Sequence, residues 1–303
     1  MKKNFLVVAT AIFLLLSNST SQAARYFTQG TNTGSSTPYG DNVKFGKYVQ
    51  ADDAKIYYET YGKGTPILIL HGGGVGSPYE LGKILDALKK DHKLIVVSTR
   101  GHGRSEIGHK PLTFEQKIDD VLAVLDDAKI FAPVQILGFS DGAYTAYKIA
   151  ALYPARVERI VAIGAGTLKQ GFFPSEMNFS ELENFDKQFF AEQRKIRPEP
   201  ERWEEFMSNY MKFWNSQSFG KETFGRIKCP VLLMVGDEDD HAPVITVLEA
   251  HELIENSRLC VVPKAWHSAF LDNYDATAPV LRQFIESPLK TLVPSKKVVY
   301  NSK

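Results

Sequence analysis

Short apolar runs recur along the middle of this chain, each followed by a longer segment of mixed polarity. The runs occupy residues 67–70, 94–97, 134–137, 160–164, 231–236 and 259–263. Apolar runs of this length predict strands buried on both faces, and strands that alternate with helices predict a parallel sheet between two helical layers. Two earlier stretches, "KYVQ" and "AKIYYETYG", alternate apolar and polar residues and predict an opening antiparallel pair. The pattern therefore predicts an α/β fold with a mostly parallel, eight-stranded sheet.

The segments between the runs have helical character. In "TFEQKIDDVLAVLDDA", Thr113 and Gln116 have the spacing of a capping box, which marks a helix start. Ile118, Val121, Leu122 and Leu125 then fall on one face at helical spacing. We therefore expect an amphipathic helix over this segment, with that face against the sheet.

One stretch interrupts the alternation of strands and helices. About 65 residues separate the run ending at Gly164 from the run that follows Pro230, far more than one crossover needs. We predict a helical lid at residues 168–226, inserted into a core formed by residues 45–167 and 227–288. Its many aromatic residues could form the core of the lid itself or line a substrate pocket beneath it.

Both ends of the chain have the composition of segments outside the core. Two lysines, an uncharged apolar run of 12 residues and a small-residue site at Ala23 predict a signal peptide over residues 1–23. The alternative is a retained N-terminal anchor. A cleaved signal peptide would make the protein periplasmic or secreted, without a stable membrane span after removal. We expect a flexible arm at residues 24–44 and a polar C-terminal tail at residues 289–303.

The amino-acid composition of the chain excludes few classes of function. The formal net charge is +1, so there is no basic excess of the kind that indicates a nucleic-acid partner. The two cysteines, Cys229 and Cys260, lie in or beside apolar runs. An oxidising compartment would allow a bridge between them, but two buried free thiols are the simpler expectation.

The strongest chemical signal is "GFSDG", which directly follows the apolar run 134–137. A strand that turns sharply into a helix strains the residue at the turn and requires small residues on both sides of it. Gly138 and Gly142 supply them around Ser140, whose hydroxyl would then stand above the end of the sheet. This context predicts that Ser140 is a nucleophile.

A serine nucleophile needs a base, and the base needs an orienting acid. His267 follows the last apolar run, on a loop expected at the same edge of the sheet as Ser140, whereas His251 lies within a predicted helix. His102, in a glycine-rich loop, is expected to be solvated or to line a pocket. The acid comes from "GDEDDHAP", where spacing alone leaves Asp237 and Asp239 as alternatives.

Charge that develops on a carbonyl oxygen needs fixed donors. The amide of Asp141, directly after the serine, is one candidate. The other should come from "HGGGVGS" after the first parallel strand; we choose Gly73, with Gly72 and Gly74 as neighbouring alternatives. A phosphate-binding interpretation fails because no G-K-[ST] sequence follows these glycines.

Together, "LHGGG", "RGHGRS", "GFSDG", "GDEDDHAP" and "AWHS" resemble the α/β-hydrolase superfamily over residues 45–287. They are most similar to its small-substrate serine esterases, near the valacyclovir-hydrolase-like and cofactor-free peroxidase-like groups. The resemblance selects Asp239 as the acid, since the second aspartate of that loop usually has this role. Ser98 stands where the family commonly has an aspartate.

The residues and the resemblance favour an exported serine hydrolase that cleaves a small-molecule ester, lactone, thioester or amide, with no metal or organic cofactor. Two alternatives use the same fold. One is cofactor-free perhydrolysis or carbon–carbon bond hydrolysis by the same triad, and the other is a ligand-binding protein without activity. The sequence does not indicate the oligomeric state.

Overall fold

A computed structural model describes residues 24–30 and 34–292. An eight-stranded sheet forms the centre, in the spatial order β1-β2-β4-β3-β5-β6-β7-β8. The strands are β1 (Gly46–Ala51), β2 (Ala54–Tyr61), β3 (Thr65–Leu70), β4 (His92–Val97), β5 (Val134–Phe139), β6 (Val157–Ile163), β7 (Val231–Gly236) and β8 (Ser257–Val262). Each of the apolar runs identified in the sequence lies almost entirely within one of these strands.

The sheet is mostly parallel. β2 pairs antiparallel with both β1 and β4, and all other neighbouring strands are parallel. This confirms the opening antiparallel pair and the predicted fold class. Because β3, β5, β7 and β8 run in the same direction, the loops that follow them meet at one edge of the sheet.

Helices cover both faces of the sheet. The core helices are α1 (Gly82–Leu88), α2 (Phe114–Asp127), α3 (Asp141–Leu152), α8 (Val244–Leu253), α9 (Ala269–Asp272), α10 (Tyr274–Glu286) and α11 (Leu289–Leu292). Leu68 and Leu70 pack in one apolar cluster with α2, α3 and α8, whereas Ile67 and Ile69 pack in another with α1 and α10. This alternation along β3 is the two-residue period of a strand buried on both faces.

Only one half of the expected capping box forms at the start of α2, because the Gln116 side chain contacts Asp120 rather than the Thr113 amide. Thr113 Oγ1 accepts a hydrogen bond from the Gln116 amide at 3.0 Å. Of the apolar face named from the sequence, Ile118, Val121 and Leu125 are buried. Leu122 is only partly buried.

A helical insertion separates β6 from β7, as the chain length between them predicts. It contains α4 (Phe179–Phe185), α5 (Lys187–Ile196), α6 (Trp203–Asn215) and α7 (Lys221–Phe224). Several of its aromatics form an internal core, in which the Trp203 ring stacks on Phe190 with centroids 4.7 Å apart. Others face a cavity described below, so the two alternatives for these aromatics both occur.

The stretch expected to be a flexible arm instead packs against the domain. Tyr39 is buried against Tyr61 of β2, and Arg25 forms ion pairs with Asp186 and Glu192 of the insertion. The N-terminal stretch is polar on average, but individual aromatic and charged residues within it contact residues that are distant in sequence and become neighbours only in the folded chain. The expectation of flexibility is therefore wrong for residues 24–30 and 34–44.

Other predictions about the ends and the thiols have simpler outcomes. The predicted signal peptide at residues 1–23 lies outside the described residues, as do residues 293–303 of the predicted tail. Cys229 and Cys260 are not bridged, and each is partly rather than fully buried. Within the described part of the chain, none of the helices is both long and apolar enough to cross a bilayer.

Candidate active site

Ser140 lies at a sharp turn between β5 and α3. Its backbone has φ 49° and ψ −115°, a conformation that costs on the order of 1–3 kcal/mol for a residue with a side chain. A Cβ at Gly138 would lie 2.5 Å from the carbonyl oxygen of Gly142, and a Cβ at Gly142 would lie 2.2 Å from that of Leu70. No larger residue fits at either position, so the two glycines permit the turn that exposes Ser140.

The structure brings the three predicted side chains into contact. Nε2 of His267 lies 2.9 Å from Oγ of Ser140, and Nδ1 lies 3.0 and 2.9 Å from the two carboxylate oxygens of Asp239. The amides of His241 and Ala242 donate to Oδ1 of Asp239 at 2.9 and 2.8 Å and fix that carboxylate. With Nδ1–H donating to Asp239, Nε2 is left to accept the serine proton.

Geometry separates the two aspartates that spacing left open. Asp237 accepts a hydrogen bond from the Ala265 amide at 3.1 Å, on the outside of the loop. The side chain of Asp239 is fully buried and faces His267. Asp239 is therefore the carboxylate in position to orient the imidazole.

Two backbone amides in the cavity that contains Ser140 have no hydrogen-bond acceptor among the described residues. Among the described residues, neither the Asp141 nor the Gly73 amide meets a protein acceptor, and both residues line the cavity that contains Ser140. The neighbouring Gly72 amide is instead occupied, since it donates to Oε1 of Glu80 at 2.7 Å. The Asp141 and Gly73 amides therefore remain the candidate donors to a carbonyl oxygen.

The side chain of Asp141 belongs to a buried ion pair that sequence reasoning did not find. It contacts Nζ of Lys117 from α2 and accepts a hydrogen bond at 2.5 Å from the hydroxyl of Tyr210 from α6. The side chains of Lys117 and Asp141 are 5% and 4% exposed. The Lys117 ammonium also lies within 6.0 Å of the ring centroids of Phe114, Tyr210, Phe213 and Trp214. One contact network thus joins α2, the serine turn and the insertion.

Breaking this pair should destabilise the protein strongly. We expect Lys117→Met to lower the free energy of unfolding by about 3–5 kcal/mol, because it leaves the buried Asp141 carboxylate without its cation. Equilibrium unfolding in urea measures the change. The matched control is Lys110→Met, which removes the exposed ion pair with Asp52 and should leave the midpoint almost unchanged. Equal midpoints for the two variants would show that the buried pair contributes nothing.

Glu80 is a second buried carboxyl beside the site. It lines the same cavity, and no arginine, lysine or histidine of the described residues forms an ion pair with it. Burial raises the pKa of Glu80 from 4.5 to about 8, although the hydrogen bond from the Gly72 amide opposes the shift. The group is therefore protonated at neutral pH and holds the loop that contains Gly73.

A cavity of about 490 Å³ opens onto Ser140 and His267. The size is typical of a small-molecule site. The insertion contributes mostly apolar side chains to its wall: Phe173, Pro174, Met177, Leu182, Met207, Tyr210, Met211 and Trp214. Tyr26, Phe27 and Thr28 complete the wall from the N-terminal segment. The edge that carries Ser140 and His267 is thus polar, and the rest of the cavity wall is largely apolar.

His241 covers the outer face of His267. The two rings stack with centroids 4.7 Å apart, and Nδ1 of His241 lies 2.7 Å from a carboxylate oxygen of Asp240. Ligand atoms of Asp239, His241 and His267 all lie within 4.8 Å of one another, close enough to hold a divalent cation. Such an ion would have to displace the hydrogen bonds that already occupy both ring nitrogens of His267.

His102 is neither solvated nor part of the wall of this cavity, contrary to the expectation that it is solvated or lines a pocket. It is buried against His71 and Phe206, with ring centroids 5.1 and 5.5 Å away. Burial lowers the pKa of His102 well below its ordinary value and keeps the ring neutral. Ser98, at the position where an aspartate is common, is also fully buried, and its hydroxyl oxygen has no partner among the described residues.

Comparison with known proteins agrees with this architecture. A sequence model described as the alpha/beta hydrolase fold matches residues 65–204. The AB hydrolase superfamily protein YisY of Bacillus subtilis (strain 168) is 23% identical over 275 residues, covering 80% of this chain and all of that protein. The human serine hydrolase BPHL is 25% identical over 271 residues, covering 84% of this chain and 90% of that protein.

A solved structure shows the same fold. An esterase from Exiguobacterium antarcticum superposes with a TM-score of 0.66 at 20% identity, covering 80% of this chain and 99% of the esterase. At this level of identity, the likeness concerns the fold.

Proposed function

We propose that this chain, which has the α/β-hydrolase fold, is a serine hydrolase that cleaves a small, uncharged ester through an acyl-enzyme intermediate. The single observation that carries the proposal is the continuous hydrogen-bonded line from Ser140 through His267 to Asp239. A strained serine beside two free amides supports the same conclusion, since this is the equipment that acyl transfer requires.

The proposed reaction follows from the geometry. His267 accepts the hydroxyl proton as Oγ of Ser140 attacks the carbonyl carbon, and the Asp141 and Gly73 amides donate to the resulting oxyanion. The imidazolium then gives its proton to the leaving alkoxide, which departs and leaves an acyl ester on Ser140. Water attacks this ester with His267 again acting as base, and the acid is released.

The cavity favours substrates without charge. Its wall is largely apolar, and its two buried carboxyls have no charge to offer a ligand: Asp141 is paired with Lys117, and Glu80 is protonated at neutral pH. An ion bound there would lose its hydration without gaining a partner. We therefore expect a neutral acyl group rather than an amino-acid or dicarboxylic ester.

A panel of substrates tests the proposal. The wild-type protein is assayed with p-nitrophenyl esters of neutral, cationic and anionic acids, with lactones, and with peroxide plus acetate for perhydrolysis. We expect the highest kcat/KM for neutral esters. Turnover in the perhydrolysis assay alone would assign the same triad to the peroxidase-like chemistry, and no turnover of any substrate would favour a non-catalytic binding protein.

The pH dependence of kcat/KM should reflect the ionisation of the Glu80 carboxyl. Above pH 8 the carboxyl loses its proton and places an anion beside the developing oxyanion, so kcat/KM for a neutral ester should fall by roughly tenfold. Glu80→Gln keeps an acceptor for the Gly72 amide but cannot ionise, and should remove this alkaline decline. Rates are followed at the isosbestic wavelength of p-nitrophenol. An unchanged decline in the variant would contradict the assignment.

The same shift affects stability. Because the folded protein holds the Glu80 proton more tightly than the unfolded chain, the free energy of unfolding should fall as pH rises from 4.5 to about 8. This contribution should be absent from Glu80→Gln.

Export of the protein remains part of the proposal. The composition of residues 1–23 supports a signal peptide with cleavage near Ala23, which would deliver the hydrolase to the periplasm or the medium. N-terminal sequencing of the protein recovered from a secreting host tests this, and an intact Met1 on that protein would argue for a retained anchor.

A further inference from the structure

The N-terminal segment directly after the predicted cleavage site is part of the cavity wall. Tyr26, Phe27 and Thr28 line the cavity together with Ser140 and His267. The match to the family's sequence model begins only at residue 65, so this part of the wall lies outside it. We propose that residues 25–28 are a specificity wall, in which Tyr26 and Phe27 contact an apolar, uncharged group of the substrate. This inference rests on the proposed ester hydrolase function.

A buried ion-pair cluster fixes the segment to the insertion. Arg25 Nε donates to a carboxylate oxygen of Glu192 at 2.8 Å, and its Nη2 donates to Asp186. The backbone amide of Thr28 donates to the other oxygen of Asp186 at 2.8 Å, and Asp186 also caps α5 through the Phe189 amide. The side chains of Arg25, Asp186 and Glu192 are only 13%, 10% and 6% exposed. Enclosed and multiply bonded pairs of this kind hold a chain in place far better than exposed ones.

The two aromatic residues of the segment face different partners. Phe27 packs edge-on against Phe189 of the insertion, with ring centroids 5.7 Å apart. The ring centroid of Tyr26 lies 6.3 Å from that of Tyr79, which belongs to the apolar cluster on the α1 side of the sheet. The segment therefore bridges the insertion and the core across the cavity, and both rings remain only partly buried.

Partly buried rings in the wall of the cavity that contains Ser140 are suited to bind a substrate. Aromatic side chains bury large apolar area with few rotatable bonds. A short acyl group such as acetyl fills the space near the serine only, whereas a longer apolar chain extends to the outer wall. The specificity wall should therefore matter for long esters and not for short ones.

The test compares kcat and KM for p-nitrophenyl acetate, butyrate and octanoate. For Phe27→Ala we expect kcat/KM for octanoate to fall by roughly tenfold, as for loss of a well-packed apolar contact, with acetate changed less than about twofold. The matched control is Phe185→Ala, which removes an exposed aromatic ring from the insertion between β6 and β7. This variant should leave the dependence of kcat/KM on acyl chain length unchanged.

Arg25→Met tests the anchor. Releasing the segment should raise KM for octanoate several-fold while kcat stays close to that of wild type, because the triad itself is untouched. A merely structural role would instead lower the active fraction, and hence kcat, for all esters in parallel with the thermal midpoint. Arg282→Met, which removes exposed ion pairs with Asp91 and Glu286, is the control.

The outcomes separate this inference from the proposed function. If wild type hydrolyses the esters but Phe27→Ala and Arg25→Met both keep its chain-length profile, the specificity wall is wrong and the hydrolase proposal stands. If wild type hydrolyses no ester, both are overturned.

Discussion

Ser140→Ala should abolish ester hydrolysis, with kcat reduced by about 10⁴-fold or more. The expectation follows from the loss of the proposed nucleophile: Oγ of Ser140 lies 2.9 Å from Nε2 of His267, in the cavity that Gly73 and Asp141 also line. Removing a nucleophile leaves only the catalysis that oxyanion donors and binding can give to a water molecule. Steady-state turnover of the best p-nitrophenyl ester measures the effect.

The interpretation of this variant depends on an intact fold. Alanine at position 140 removes one hydroxyl from a residue that remains at φ 49°, so the thermal midpoint should change little. A matched control is Ser287→Ala, which removes an exposed hydroxyl bonded to the Gln283 carbonyl oxygen at the end of α10 and should keep full activity. Substantial turnover by a folded Ser140→Ala protein would exclude the acyl-enzyme mechanism.

Asp239→Asn should reduce kcat by about 10⁴-fold, the second-largest effect. The buried carboxylate of Asp239 accepts the Nδ1–H of His267, which leaves Nε2 free to take the serine proton. A carboxamide presents an NH₂ group as readily as an oxygen, so the imidazole would adopt the other tautomer, with Nε2 protonated and unable to act as base. Because the change is nearly isosteric, KM should change far less than kcat.

Asp237→Asn is the matched control from the same loop. Asp237 is exposed, and its carboxylate accepts hydrogen bonds from backbone amides, among them that of Ala265, which the side-chain oxygen of asparagine can also accept. Its kcat should stay within about twofold of wild type, the range expected when no transition-state contact is lost. The reverse result, with Asp237→Asn inactive and Asp239→Asn active, would exchange the roles of the two aspartates.

Most of the fold could be predicted because local signals agreed with one another. Apolar runs bounded by helical segments identify strands wherever both faces of the sheet are covered, and β3 to β7 are of this kind, whereas β8 at the edge of the sheet is only partly covered. Ser140 directly follows β5 and His267 lies in the loop after β8, and parallel strands bring their carboxyl ends to one edge, so the sequence could predict that the two residues lie close together. Spacing could not choose between Asp237 and Asp239, since the choice depends on which way a loop turns.

The residues that were missed depend on contacts between distant parts of the chain. Glu80 gives no local signal, because its burial and raised pKa come from the packed loop around Gly72. Arg25 and Phe27 lie in a polar stretch, and their partners on the insertion are more than 150 residues away in sequence. The sequence does contain a signal for Lys117, because this residue lies one turn before Val121, within the apolar face of α2. A lone cation on a buried face indicates a buried anion, although not which one.

The most direct test of the account is covalent labelling by a fluorophosphonate, which phosphonylates a serine activated by its base, with loss of fluoride. Intact-mass analysis of the wild-type protein should show a single adduct, and peptide mapping should place it on Ser140. Ser140→Ala should remain unmodified, and Asp239→Asn should react far more slowly than wild type. A folded wild-type protein that takes up no label, or an adduct on any other residue, would contradict the claim that Ser140, His267 and Asp239 form a working nucleophile.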